Sequence, residues 1–335
     1  MEIPKILWIK NHLSSSGATH FTDLQFFDLP DYLTYRATGG DRTRSACSLG
    51  CKCSYLPNSA AASAGWSPSF FNSIGLSSIV DDGFRQLGGI NANGCGRDRA
   101  VLTAGLPVGN GLSKKAADEM GLREGIAVGS GLIDAYAGWV GTIAARFGIE
   151  GNISPPPTLE DSRHRLAAVA GTSTCHLVQS PNGVFVPGVW GPYKDAVFQG
   201  WWMNEGGQSS TGQLIDHILE THPSYSKLVD LSKQQSKGIH LLLENLLTDL
   251  CKEEGVESVT ELIKGLFLYP DFHGNRSPVA DPRMTGLISG ITLDSSIKDL
   301  AKKYAATLEA IALQTKHIID EMNGAGGGEN GIHYS

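Results

Sequence analysis

Apolar positions along the chain change period several times, and the changes mark out elements. Ile126, Ala127 and Val128 form an apolar run that ends in Gly129, Ser130 and Gly131; Ile133, Tyr136, Ala137, Val140 and Ile143 then recur at helical spacing. This order predicts strand, tight turn and helix, with Asp134 close behind the turn. Glycines at 129 and 131 predict unusual backbone angles and the close approach of another molecule. Asp134 has two readings. It is a general base at the place where ligands of open α/β sheets collect, or an acidic helix-start residue favoured by the helix dipole.

Elsewhere, residues 1 to 13 predict a short amphipathic helix. Residues 27 to 40 predict a second helix, starting near Asp31 and stopping at Gly39-Gly40. Arg42 to Lys52 is rich in small and polar residues and is expected to be a segment between structured elements. Lys52 there suits either the wall of a polar pocket or a solvated loop. Trp66, Phe70, Phe71, Ile74, Leu76, Val80 and Phe84 fall at helical spacing and are expected mostly in the core. A glycine-rich stretch over 88 to 125 includes a polar helix at Ser113 to Met120.

The proline cluster in 151–158 breaks both helix and strand, and charged residues follow to Arg165. It predicts a linker over 151–165 between units 1–150 and 166–335. Leu166 to Val178 reads as a hairpin around Gly171-Thr172-Ser173-Thr174. That turn is a nest for anionic oxygen or an ordinary hairpin turn. Trp201-Trp202 is expected to end a strand, with Glu205 and Gln208 in the polar turn after it, hydrogen-bonding a polyol or solvated. Residues 266 to 278 predict a strand running into a Pro/Gly loop. A long helix from Ser296 to Met322 buries a stripe of Leu300, Tyr304, Leu308, Ile311, Ile318 and Met322.

Composition narrows the function classes. The 335 residues suggest about two domains. A net charge of -7 without a basic block argues against nucleic acid as the main partner. The N-terminal apolar run is too short and too interrupted for a signal peptide, and no later stretch has transmembrane length, so a cytoplasmic protein is expected. Six cysteines are too few for a disulfide framework in a chain this size. Cys47, Cys51 and Cys53 lack a second ligand pair at zinc-finger spacing and are expected to be reduced, partly buried thiols. Asp134 stands where a dinucleotide fingerprint needs its third glycine, and no Gly-Lys dipeptide exists for a Walker loop.

Seven stretches, in order, carry a resemblance: DLPDYLTYRATG, TRSACSLGCK, VGSGLIDAYAGWVG, VAGTSTCHL, WWMNEGGQSSTGQLIDHI, FHGNRSPVADPRMTGLISG and YAATLEAIALQT. Together they resemble the FGGY carbohydrate kinases, within them the ribulokinase-like branch, over most of residues 27 to 320. The resemblance implies an α/β fold of two actin-like (ribonuclease H-like) ATPase domains with a cleft between them. It implies ATP-dependent phosphorylation of a sugar or polyol hydroxyl, a ketopentose such as D-ribulose. Asp134 matches the family's catalytic base. Lys52 and Glu205 match sugar-contacting residues, and Gly171, Thr172 and Ser173 match a phosphate-binding motif. Sugar and ATP are the implied partners, with Mg2+ carried by the nucleotide, and a homodimer stays open.

Two departures accompany the resemblance. The family's opening phosphate-gripping hairpin and its adenine-packing Gly-Gly strand have no counterpart between residues 1 and 335. Both domains are therefore expected to be incomplete, and a truncated, catalytically inactive chain that binds sugar or a partner is the alternative. A hydrolase using Asp134 and Glu205 as paired carboxylates leaves the Gly171 turn without a role.

Overall fold

A four-stranded antiparallel sheet forms the centre of the second half of the chain. The computed structural model describes residues 2–13, 20–56, 65–88, 95–96, 99–149 and 151–325. The predicted hairpin opens the sheet: Ala167–Ala170 pairs with Thr174–Ser180, Ala170 opposite Thr174. Thr174–Ser180 pairs on its other side with Trp202–Gln208, which pairs in turn with Trp190–Lys194. One face of this sheet takes the predicted Asp134 helix, observed at Asp134–Ile143. Tyr136, Trp139, Ile143, Ala167, Leu177 and Met203 form one buried cluster there, joined by Cys47 and Cys51 from the Ala46–Cys53 helix. That apolar core is what sets the two halves of the sequence side by side.

The other face of the sheet meets the long helix, which runs from Ile297 to Ala325. Val178, Val186, Val189, Ile318 and Met322 bury one another at this contact. Further along, Leu300, Ala301, Tyr304 and Ala305 pack on a helical layer formed mainly by Gly212–Glu220, Tyr225–Gln235 and Ile239–Glu254. The expected stripe holds for Leu300, Tyr304, Ile318 and Met322, but Leu308 is exposed and Ile311 only half-buried. The helical layer covers the first turns and the sheet covers the last ones, so the middle of the stripe is left partly open.

In the first half, Ile3, Ile6, Leu49, Trp66, Phe71, Leu76, Ile79 and Phe84 make a separate core. The expected N-terminal helix is Ile3–His12, and the helix before Gly39-Gly40 is Leu29–Ala37. Residues 66–87 fold as two short helices, Pro68–Ser73 and Ser77–Asp81, and a 3-10 turn, Arg85–Leu87. Gly75 and Gly83, both in the left-handed region, interrupt what reads as one helical pattern.

Four sequence expectations need correction. Residues 126–128 form no strand; they are an extended segment held to 105–112 by irregular bonds, Leu112 N–H to Ile126 O at 2.7 Å and Val108 N–H to Val128 O at 2.8 Å. Arg42–Lys52 is not a connecting segment but the strand Arg44–Ser45 and the helix Ala46–Cys53. Ala46, Cys47, Ser48, Leu49, Gly50 and Cys51 are all buried, so this helix has no polar face to give an amphipathic signature. Trp202 begins a strand rather than ending one, and Glu205 lies within that strand. The 151–158 stretch is not free of strand, because Asn152–Ile153 pairs with Gly148–Ile149. The glycine-rich tail beyond residue 325 and most of 89–98 lie outside the described residues.

Candidate active site

The six residues singled out from sequence line one cleft. Its volume is about 680 Å³, and Lys52, Asp134, Gly171, Thr172, Ser173 and Glu205 all stand on its walls. They come from four separate segments, so their meeting is a property of the fold.

Asp134 begins the Asp134–Ile143 helix, with Ile133 as N-cap in extended conformation. A carboxylate at this end of a helix is favoured by the dipole. Its Oδ1 accepts the Ala135 N–H at 2.8 Å, and the side chain is exposed to the open cleft. The turn before it is fixed from behind. Gly129 and Gly131 do not adopt the left-handed conformation; Gly131 is bare because a Cβ there would lie 2.5 Å from the Pro30 Cβ. Ser45 ties this turn to the helix that bears Lys52. Its hydroxyl accepts the Cys47 N–H at 3.1 Å, capping the Ala46–Cys53 helix, and donates to Gly131 O at 2.6 Å. Beside it, the Ser45 N–H donates to the Asp31 carboxylate at 2.9 Å. Burial pushes the Asp31 carboxyl up to about 7, against the opposing pull of the Ser45 N–H. Lys52, half-buried, is the penultimate residue of its helix.

The Gly171–Ser173 turn is braced by the start of the Gly212–Glu220 helix. Gly171 O accepts the Gly212 N–H at 3.1 Å, and Thr172 O accepts the N–H groups of Thr211 at 3.0 Å and Gln213 at 3.3 Å. A trans peptide sets N–H opposite C=O, so the N–H groups of Thr172 and Ser173 point away from that helix. A Cβ at Gly171 would meet only Ser173 O, at 3.8 Å. The turn thus offers hydroxyls, outward N–H groups and open space, a suitable seat for phosphate oxygens.

Glu205 is gripped where Asp134 is open. Its side chain is 5% exposed, and its Oε1 accepts from the Arg276 guanidinium at 2.9 Å. Sequence reasoning gave Arg276 no role, although it stands in the quoted FHGNRSP stretch. Its guanidinium lies over the Trp190 ring, 4.2 Å from the centroid, and one nitrogen stands 3.6 Å from the Cys175 sulfur. Burial pushes the Cys175 thiol up to about 11, so it stays protonated beside the pair. The same cause holds the Tyr136 and Tyr193 hydroxyls well above their ordinary range. The Cys51 thiol is raised too, first by its hydrogen bond with Cys47 and then by burial. Cys47, Cys51 and Cys53 are free and buried. Trp190 and His273 also line the cleft and were not singled out from sequence. Among the described residues, no three His, Cys, Asp or Glu side chains cluster so as to hold a metal ion, and no helix is long and apolar enough to cross a membrane.

Comparison with known proteins bears on the family and the fold. Residues 166–332 match the C-terminal domain of the FGGY family of carbohydrate kinases. A D-ribulokinase of Saccharomyces cerevisiae is 46% identical over 341 residues, covering 100% of this chain and 46% of that protein. A human FGGY carbohydrate kinase domain-containing protein is 42% identical, covering 97% of this chain and 55% of the relative. The chain spans about half the length of the curated relatives it matches. Among solved structures, a xylulose kinase from Rhodospirillum rubrum superposes with a TM-score of 0.62 at 16% identity, over 96% of this chain and 52% of that one. A Plasmodium falciparum glycerol kinase with ADP gives 0.58 at 15% identity, over 96% and 52%. The structural likenesses establish the α/β, actin-like ATPase fold of sugar kinases. By its sequence kinship and its C-terminal domain, the chain belongs to the FGGY family of carbohydrate kinases.

Proposed function

We propose that the cleft phosphorylates a hydroxyl of a sugar or polyol with ATP, a ketopentose such as D-ribulose being the preferred acceptor. The observation that carries this reading is the convergence of Lys52, Asp134, Gly171–Ser173 and Glu205 on one cleft. Asp134 takes the proton of the acceptor hydroxyl. The oxygen attacks the γ-phosphorus, and the bond to the β-phosphate oxygen breaks, releasing ADP. Proton removal of this kind contributes about 10²–10⁴ in rate. Lys52 and Glu205 hold the other hydroxyls, and the Gly171 turn takes the phosphate oxygens, whose charge spreads in the transition state. Magnesium, brought in on the nucleotide's phosphates, supplies further charge neutralisation.

D-ribulose is favoured over other acceptors because the yeast relative named for that sugar is 46% identical along this whole chain. The same proposal keeps the division at 151–165, small-molecule partners rather than nucleic acid or membrane, and a cytoplasmic site of action. The test is ADP release by the purified protein with D-ribulose, D-xylulose and ribitol in turn. Release that rises with D-ribulose and is lost in Asp134→Asn supports the reading. Sugar binding without ADP release would reassign the chain as a sugar-binding protein, and the absence of both binding and release would end the reading.

A further inference from the structure

Arg276 is held more tightly than a surface ion pair requires. Asp271, before it, is 3% exposed and accepts from Asn275 at 2.9 Å and from Gln314 of the long helix at 2.7 Å. Asn275 Oδ1 accepts the N–H groups of Val279 at 3.0 Å and Ala280 at 3.2 Å, and Ser277 donates to Gly188 O at 2.8 Å. The loop is therefore pinned on both sides of the arginine. Gln314 also accepts from Gln208 at 3.1 Å, three residues along the strand from Glu205. Both ends of the Arg276–Glu205 pair hang from one hydrogen-bonded frame. The strand makes room for it at Gly207, where a Cβ would come within 2.4 Å of Arg276 Nε.

We propose that Arg276, fixed between the Trp190 ring and the bare backbone of Gly207, is the residue that positions Glu205 to accept a hydrogen bond from an acceptor hydroxyl. The proposal rests on the sugar-kinase reading and adds to it the residue on which acceptor binding by Glu205 depends. A carboxylate taken out of water keeps its charge only with a compensating partner. The groups around Glu205 do not replace the guanidinium. Cys51 faces it from the Ala46–Cys53 helix, Tyr136 from the Asp134 helix, Cys175 and Tyr193 from the neighbouring strands. Lys52, Asp134 and His273 line the same cleft. The guanidinium is the cation in hydrogen-bond contact with Glu205 among the described residues.

The test measures D-ribulose and ATP affinity by calorimetry between pH 5.5 and 8.0, for the intact protein and for Arg276→Met, Arg276→Lys and Glu205→Gln. Arg276→Met is expected to bind D-ribulose about 10–100-fold more weakly near pH 6. Arg276→Lys keeps the charge, so it weakens binding only several-fold. Glu205→Gln weakens D-ribulose binding at every pH. ATP affinity stays unchanged in all three. Wild-type affinity in Arg276→Met, or a loss in Arg276→Lys as large as in Arg276→Met, overturns the positioning role while Glu205→Gln still reports the acceptor site. Wild-type affinity in Glu205→Gln, or no D-ribulose binding by the intact protein, overturns the acceptor-site reading and this inference with it. Should Arg276→Met fail to fold, Trp190→Leu removes the stacking face and keeps the charge; it is expected to weaken D-ribulose binding several-fold, and wild-type affinity there counts against the proposal.

Discussion

Asp134 and Glu205 face the same cleft, one exposed at a helix start and the other 4% exposed in mid-strand. Asp134 has one short contact, with the N–H of the next residue, and its position is set by what lies behind it: Pro30 against Gly131, and Ser45 bonded to Gly131 O. Glu205 is set by what lies in front of it, an arginine stacked on a tryptophan. A residue that must exchange a proton with a ligand is useful when it is accessible and its support is remote. A residue that must hold a hydroxyl in one direction is useful when it cannot turn. Under the proposed function the two walls divide along that line, chemistry on the first and orientation on the second.

The largest effect tests the first wall. Asp134→Asn keeps size and hydrogen-bonding ability while removing the base, so sugar-dependent ADP release is expected to fall about 10²–10⁴-fold. Calorimetric D-ribulose affinity should change far less. A variant that loses affinity and rate together would mean that Asp134 orients the acceptor as Glu205 does, and the division of labour would be gone. Next in size is Gly131→Ala, which drives a methyl group to 2.5 Å from the Pro30 Cβ. Overpacking of this kind costs about 1–3 kcal/mol, readable as a lower heat-denaturation midpoint. Because Asp134 lies three residues on, kcat should fall while the affinity for D-ribulose holds.

Neither wall was legible throughout in the sequence. Asp134, the helix after it and the Gly171 hairpin announce themselves through apolar period and turn residues. The Glu205–Arg276 pair hides for a physical reason. Glu205 is followed by Gly206-Gly207, which reads as a turn, yet both glycines lie within a strand. They are bare because Ile318 and Met322 press on one face and Arg276 on the other, contacts made across long separations. Arg276 was present in a family-like stretch, but nothing in linear order tied it to a glutamate 71 residues away. The Ala46–Cys53 helix was missed because burial on all sides leaves no alternation of polar and apolar positions to detect. Family resemblance singled out Lys52, which lines the cleft, although its local structure reads as a loop in the sequence.

Ser45→Ala probes the link that lets the two sequence segments of the first wall act together. The substitution removes a helix N-cap, worth about 0.5–2 kcal/mol, and leaves the Gly131 carbonyl without its hydroxyl donor. A modest drop in denaturation midpoint is expected, with a kcat loss of several-fold as Lys52 and Asp134 move independently. Unchanged kcat with a lowered midpoint would show that the cap serves stability alone.

The smallest effect, per unit of pH, comes from Asp31, which supports Ser45 from below. Its carboxyl titrates near 3.8 ordinarily and is raised to about 7 in the folded chain, because burial disfavours the charge more than the Ser45 N–H and the Arg44 guanidinium favour it. The folded state therefore binds this proton more tightly than the unfolded one. Stability from Asp31 is fully present below about pH 4 and is lost as pH rises towards 7, with a slope of at most about 1.4 kcal/mol per pH unit. Asp31→Asn keeps an acceptor for the Ser45 N–H without the charge. Heat denaturation of both proteins from pH 4.5 to 7.5 should show the variant gaining on the wild type as pH rises, the gap levelling above pH 7. Parallel curves would mean that the carboxylate is paid for by a compensating charge in the native state, and the first wall would then be gripped from behind as firmly as Glu205 is from in front.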